Sequence, residues 1–178
     1  MNTLVLSTSL RPASNSRIMA RYAQHLLNQR SAETEVAFLD LRDHPALPMC
    51  DGGDCYSHPE VAAIRPLFAR ADAIIVAAPV YTFYLSAAAK NVVELTGGAW
   101  EDKTVAFLCA AGGASSYMSV MSFANSLMLD FRCVIVPRFV YATGKDFAQD
   151  AVADEDVKER IEQLVGATLR LARAAKAA

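Results

Sequence analysis

Glycine is scarce in this chain. The 178 residues include 8 glycines, and none precedes Gly52. That absence disfavours, at the first strand-to-helix turn, both the dinucleotide fingerprint and the Walker loop, which use glycine to bring backbone close to phosphate. Long apolar runs are also missing. No window reaches the roughly 20 uninterrupted apolar residues that span a bilayer, so no membrane partner is expected. Neither sign of charge dominates: 17 Lys+Arg stand against 19 Asp+Glu, a balance that gives no reason to expect nucleic acid. No basic region precedes the N-terminal apolar run, which reads as a first core strand and not as a signal peptide. Histidines number 3, with His25 in a predicted helix and His44 and His58 in a long loop. No Ser–His–Asp or Cys–His constellation is evident, and no catalytic side chain is assigned. Of the cysteines, Cys109 and Cys133 sit inside apolar runs as small hydrophobes. Cys50 and Cys55 bracket Asp51-Gly52-Gly53-Asp54. A metal or iron–sulfur site needs more ligands than the nearby His58 supplies. Ordinary reduced thiols in a cytoplasmic protein are favoured over such a site or a redox-active pair.

What is present is an alternation. Hydrophobic residues make up 53% and charged residues 20%, a globular balance that fits one domain over residues 1–178. Strands are expected at 2–8, 36–39, 73–78, 104–111 and 133–136. Helices are expected at 15–29 (Ile18, Tyr22 and Leu26 at fourfold spacing), 59–70, 85–96, 115–130 and 153–176. Five near-continuous apolar strands alternating with five helices imply an α/β fold, a parallel sheet covered on both faces.

The richest segment is Ser9-Leu10-Arg11-Pro12-Ala13-Ser14-Asn15-Ser16-Arg17, between the first strand and the first helix. A helix N-terminus offers unpaired N–H groups and partial positive charge. Hydroxyls, an amide and arginine add donors and full charge, so the segment reads as a phosphate site held partly by side chains. Ser14 and Ser16 also suit simple helix capping, and Arg11 a surface ion pair. Two more loops follow strands: Pro79-Val80-Tyr81-Thr82-Phe83-Tyr84, which is aromatic, and Ala110-Ala111-Gly112-Gly113-Ala114-Ser115-Ser116, which is small and glycine-rich. Ligands of open parallel sheets bind beyond the carboxyl ends of the strands. A flat ring with a phosphate tail would use all three loops. Packing aromatics and a plain glycine turn are the bland alternatives.

The phosphate segment resembles that of the NAD(P)H-dependent FMN reductases, whose pattern is Ser-Leu-Arg, two residues, Ser, one residue, then Asn or Ser. Pro79-Val80-Tyr81 with Lys90-Asn91 is similar to their Pro-Glu-Tyr-Asn turn and following Lys-Asn, and Gly112-Gly113 also matches. The resemblance spans nearly the whole chain. It implies a flavodoxin-like doubly wound five-stranded sheet in the order 2-1-3-4-5. It also implies FMN as cofactor, NADPH or NADH as donor, and a small-molecule acceptor such as a quinone, free flavin or azo compound. Carried over, Ser9, Arg11, Ser14, Asn15 and Ser16 would hold the FMN phosphate. Pro79, Val80, Tyr81, Thr82 and Phe83 would flank the ring, and Ala111, Gly112 and Gly113 would meet its pyrimidine edge. Val80 and Thr82 depart from the family's Glu and Asn. A homodimer or homotetramer is implied, with Phe83, Tyr84, Leu85 and Met118 as candidate contacts. Lys90 and Asn91 are read as structural, and Trp100 as packing or subunit contact. Two other functions stay open: an electron carrier of the flavodoxin kind, and a non-redox protein using the same pocket. Arg11 and the mild net charge favour the enzyme over the carrier.

Overall fold

Alternation along the strands places two cores on opposite faces of one sheet. β1 (Asn2–Ser7) sends Leu4 and Leu6 to one core and Val5 to the other. β3 (Ala73–Tyr81) divides Ile74 and Val76 from Ile75 and Ala77 in the same way, as the twofold side-chain period of a strand requires. A computed structural model describes residues 1–30 and 32–177. Its main sheet also contains β2 (Glu35–Asp40), β4 (Tyr84–Leu85), β5 (Thr104–Ala111), β6 (Val134–Ile135) and β7 (Val140–Thr143). The order is β2-β1-β3-β5-β6, with β7 also parallel to β5 and β4 antiparallel to β3. This is the doubly wound order expected from the resemblance. A small hairpin of β8 (Phe147–Ala148) and β9 (Ala151–Val152) stands apart.

Helices α1 (Asn15–Asn28) and α5 (Glu155–Ala177) cover one face, burying Met19, Leu27, Ile161 and Leu164. Helices α2 (Pro59–Arg70), α3 (Ala87–Thr96) and α4 (Met121–Phe131) cover the other, with Ile64, Phe68, Val92 and Phe123. Trp100 belongs to this second core. It is fully buried, lies 5.1 Å from the Phe68 ring centroid, and donates its indole N–H to Thr96 Oγ1. It is therefore a packing residue.

Several boundaries differ from the sequence expectations. In α1 the buried face is Met19, Ala20, Ala23 and Leu27, while Ile18, Tyr22 and Leu26 are half-buried. Small alanines let the helix approach the sheet, and the larger residues fill its flank. The third strand runs on to Tyr81, and the segment read as the start of a helix at Leu85 first turns back as β4. Ser86 then caps α3 by accepting from Ala89 N. The stretch 114–120 is a set of 3₁₀ turns, with Ser116 off helical geometry, so α4 begins at Met121. The fifth strand position is divided. Val134–Ile135 pair with Thr104–Val105, Pro137 follows, and pairing resumes at Val140 opposite Leu108. A proline cannot donate to the ladder. α5 starts at Glu155, two residues later than expected, with Asp154 Oδ1 accepting from Val157 N at 2.9 Å.

Candidate cofactor site

Register at the carboxyl ends of the strands brings the three loops together. Ser7 lies opposite Asp40 on one side and Ala77 on the other. Pro79 lies opposite Ala110, and Ala111 opposite Thr143. The residues that follow emerge along one edge and enclose a cavity of about 290 Å³. Ser9, Arg11, Ser14, Asn15, Ser16, Pro79, Val80, Tyr81, Ala111 and Gly112 all line it. Thr82, Phe83 and Gly113, assigned with them by resemblance, lie outside this lining.

The loop of residues 9–16 is fixed at both ends. Thr8 N donates to Ala77 O at 3.0 Å, and the Thr8 hydroxyl donates to the same carbonyl at 3.2 Å. Ser9 is buried, and its Oγ accepts from Arg11 N at 3.3 Å. Ser14 caps α1, accepting from Arg17 N at 3.3 Å, and its hydroxyl lies 3.0 Å from that of Ser16. Capping and cavity lining thus fall to the same serine. The first-turn amides of Asn15 and Ser16 have no backbone partner among the described residues, which leaves them free for an anion. Arg17 and Arg42 are both engaged by Asp40. Arg21 sits over the Phe38 ring at 3.7 Å from its centroid. The Arg11 guanidinium is exposed and forms no ion pair among the described residues. It is an uncommitted cation at this edge.

The opposite wall is a tight hairpin. Tyr81 and Tyr84 pair across Thr82 and Phe83, which take φ of 51° and 59°. Two consecutive positive φ values mark the mirror-image turn that matches strand twist. Tyr81 is 47% exposed beside the cavity, and Phe83 is 64% exposed at the tip. Tyr84 packs edge-on against Phe123 at 6.5 Å. Val80 is buried and belongs to the core beneath the cavity, so it brings no polar side chain to the lining. At the third loop, a Cβ on Gly112 would meet no protein atom within 4 Å. The room Gly112 leaves therefore belongs to the cavity and not to packing. A cationic, hydroxyl-rich end, an aromatic side wall and an open glycine edge suit a flat ring with a phosphate tail, such as FMN.

Sequence reasoning missed Ile18, Gly144 and Asp150 in the lining, and assigned no individual contact to Ala13 and Ala110 within their loops. Gly144 and Asp150 follow from β7 and from the β8–β9 turn, where Gln149 and Asp150 repeat the two-residue positive-φ pattern at 50° and 57°. Neither turn has the Asn-Gly or Asp-Gly signature that would have marked it. The ionisable side chains in the lining are Arg11, Tyr81 and Asp150. The thiols lie elsewhere. Burial pushes Cys109 up to about 12 and Cys133 to about 11, so neither is a thiolate at neutral pH. Cys50 and Cys55 Sγ are 3.9 Å apart, and no group of three metal-ligating side chains occurs among the described residues. Asn91 braces their loop, accepting from Cys50 N and donating to Pro48 O. Lys90 pairs with Glu94. Both therefore have structural contacts, as read from the sequence.

The chain is similar to known proteins. A protein of Arabidopsis thaliana described as an NADPH:quinone oxidoreductase is 28% identical over 90% of this chain and 86% of its own length. An NAD(P)H-dependent FAD/FMN reductase of Geobacillus thermodenitrificans is 27% identical over 74% of this chain and 72% of its own. Among solved structures, the NADH:FMN oxidoreductase EmoB superposes with a TM-score of 0.81 at 16% identity, covering 96% of this chain and 89% of that one. FerB, a flavoenzyme NAD(P)H:acceptor oxidoreductase from Paracoccus denitrificans, superposes at 0.77 with 19% identity and 97% of each chain covered. At those identities the superpositions speak for the fold. The family model for NADPH-dependent FMN reductases matches residues 1–148, which include all three loops of the cavity, and the chain is a member of that family of flavin-dependent oxidoreductases.

Proposed function

We propose that the chain binds FMN in this cavity and uses NADPH or NADH to reduce a small electron acceptor such as a quinone, a free flavin or an azo compound. The observation that supports this most directly is the convergence on one cavity of an uncommitted arginine, two serines at a helix N-terminus, a half-exposed tyrosine and an open glycine edge. The phosphate is assigned to Ser9, Arg11, Ser14 and Ser16, with the N–H of Asn15. The ring is assigned to the wall of Pro79, Val80 and Tyr81, with Thr82 and Phe83 at its outer end, and the pyrimidine edge to Ala111, Gly112 and Gly113. FMN supplies hydride transfer from the nicotinamide to the acceptor; the protein supplies binding, orientation and electrostatics. Tyr81 would stand beside the ring. Val80 offers no carboxylate where relatives of the resembling pattern have Glu.

A homodimer or homotetramer in the cytoplasm is part of the same reading. Leu85 is buried and Tyr84 half-buried, whereas Phe83 is 64%, Met118 61% and Leu129 74% exposed. Met121 and Met128, seven residues apart, share one exposed side of α4, and Met118 is exposed in the 3₁₀ turns before it; exposed apolar patches mark interaction surfaces.

The purified chain should show flavin absorbance and oxidise NADPH or NADH when a quinone is added. A colourless protein that takes up no added FMN would overturn the proposal. Flavin bound without nicotinamide oxidation would point instead to an electron carrier. Arg11→Ala should weaken FMN binding by about 1.5–3 kcal/mol, the range for a charge-assisted hydrogen bond, read from a fluorescence titration.

A further inference from the structure

Asp40, the last residue of β2, is 2% exposed, yet it sits at the centre of a cationic cluster behind the phosphate loop. Its Oδ2 accepts from Arg17 Nε at 2.5 Å and from Arg42 Nη2 at 3.3 Å, and its Oδ1 accepts from Arg42 N at 3.2 Å. Arg42 then reaches onward. Its Nη1 donates to Pro12 O at 2.9 Å and to Arg11 O at 3.4 Å. Arg17, on the other arm, belongs to the first turn of α1, where its N–H meets Ser14 Oγ. Both halves of the loop therefore connect to one buried carboxylate. Arg42 does not line the phosphate cavity. It lines a separate apolar cleft beside Leu10, Leu41 and Leu47, so it acts on a bound anion through the loop and not by contact.

We propose that Arg42, held by Asp40, is a positioning residue for recognition of the flavin's terminal phosphomonoester. The inference rests on the reading that residues 9–16 hold that phosphate. Pro12 has no N–H, so its carbonyl is the one backbone hydrogen-bonding group by which this point of the loop can be held. By binding the carbonyls of Arg11 and Pro12, Arg42 neutralises acceptor oxygens that would oppose an anion. It also fixes the backbone from which the Arg11 side chain extends. Asp40 keeps the guanidinium in place and offsets its charge. Arg42 accordingly favours phosphorylated flavin over riboflavin, which shares the ring and ribityl chain but has no anion.

The test is a fluorescence titration of the flavin-stripped full chain with FMN and with riboflavin, in wild type, Arg42→Gln, Arg42→Lys and Arg11→Ala, alongside thermal melts. Arg42→Gln should weaken FMN by about tenfold, the effect of losing one to two hydrogen bonds, and leave riboflavin within about twofold. Arg42→Lys should recover part of the loss. Equal weakening of both flavins would make Arg42 a general structural residue and overturn the inference. Unchanged FMN affinity in Arg42→Gln with a loss in Arg11→Ala would overturn it while leaving the phosphate loop standing. No loss in either variant would remove the phosphate reading itself, and the inference with it. If Arg42→Gln does not fold, Arg42→Lys decides: about threefold loss for FMN alone supports the role, and any other pattern overturns it.

Discussion

At the scale of the residue, Thr82 is the most constrained position near the cavity. Its φ of 51° and that of Phe83 at 59° put two non-glycine residues in the left-handed region, and one is β-branched. Left-handed geometry costs an ordinary residue about 1–2 kcal/mol. Asn tolerates it better through local hydrogen bonding. Thr82→Asn should therefore raise the unfolding free energy by about 0.5–1 kcal/mol, seen as a higher urea midpoint with an unchanged slope. A lower midpoint would show that the turn is not strained. The same change restores an amide with paired donor and acceptor at the outer end of the ring wall. The identity of Thr82 was legible in the sequence as a departure from a family pattern. Its strain was not, because Thr-Phe has none of the glycine or asparagine that advertises a two-residue hairpin.

At the scale of the element, α1 joins fold to function through its first turn. Ser14 is both the cap, accepting from Arg17 N, and part of the cavity lining. The two roles separate by substitution. Ser14→Ala should destabilise the protein by about 1 kcal/mol through loss of the cap and also weaken FMN. Ser14→Asp keeps a good cap and suits the helix dipole, but it sets a negative charge against the phosphate. Stability should hold within about 0.5 kcal/mol of wild type while FMN affinity drops sharply. Melting curves and flavin titrations on the same two variants read both effects. The limits of this helix were legible: the periodic run expected over 15–29 forms over Asn15–Asn28. Its buried face was not. Period alone selected Ile18, Tyr22 and Leu26, whereas close approach to the sheet selected Ala20 and Ala23.

At the scale of the whole molecule, Asp72 ties the first strand, the central sheet and the last helix together. Its Oδ2 accepts from Asn2 N at 2.8 Å, its carboxylate pairs with Lys176 at 3.1 Å, and its carbonyl accepts from Thr104 N at 3.2 Å. Burial acts to raise the carboxyl pKa, but the Asn2 amide and the Lys176 ammonium outweigh it, and the net shift is downward. The folded state therefore binds this proton less readily than the unfolded chain. The resulting stabilisation is present above the ordinary aspartate value of about 3.9 and disappears as pH falls through the lowered one. Melting temperatures of wild type and Asp72→Asn should differ at pH 6 and converge in strong acid. A constant gap would exclude the titration. The parallel sheet around Asp72 was legible from apolar strands alternating with helices, and its order from the family resemblance. The divided fifth position was not, because β6 and β7 are short segments on either side of Val136-Pro137-Arg138-Phe139, each too brief to show a period.

The phosphate cradle proposed for this chain is made of side chains, which has a consequence for how such a protein diversifies. Where bare backbone grips the anion, changing the ligand means rebuilding a loop. Here Ser9, Arg11, Ser14 and Ser16 line the cavity from a scaffold that is pinned separately through Thr8 and Asp40. Single codon changes can exchange the gripping groups and leave the scaffold in place, so selection has a short route from one anionic ligand to another.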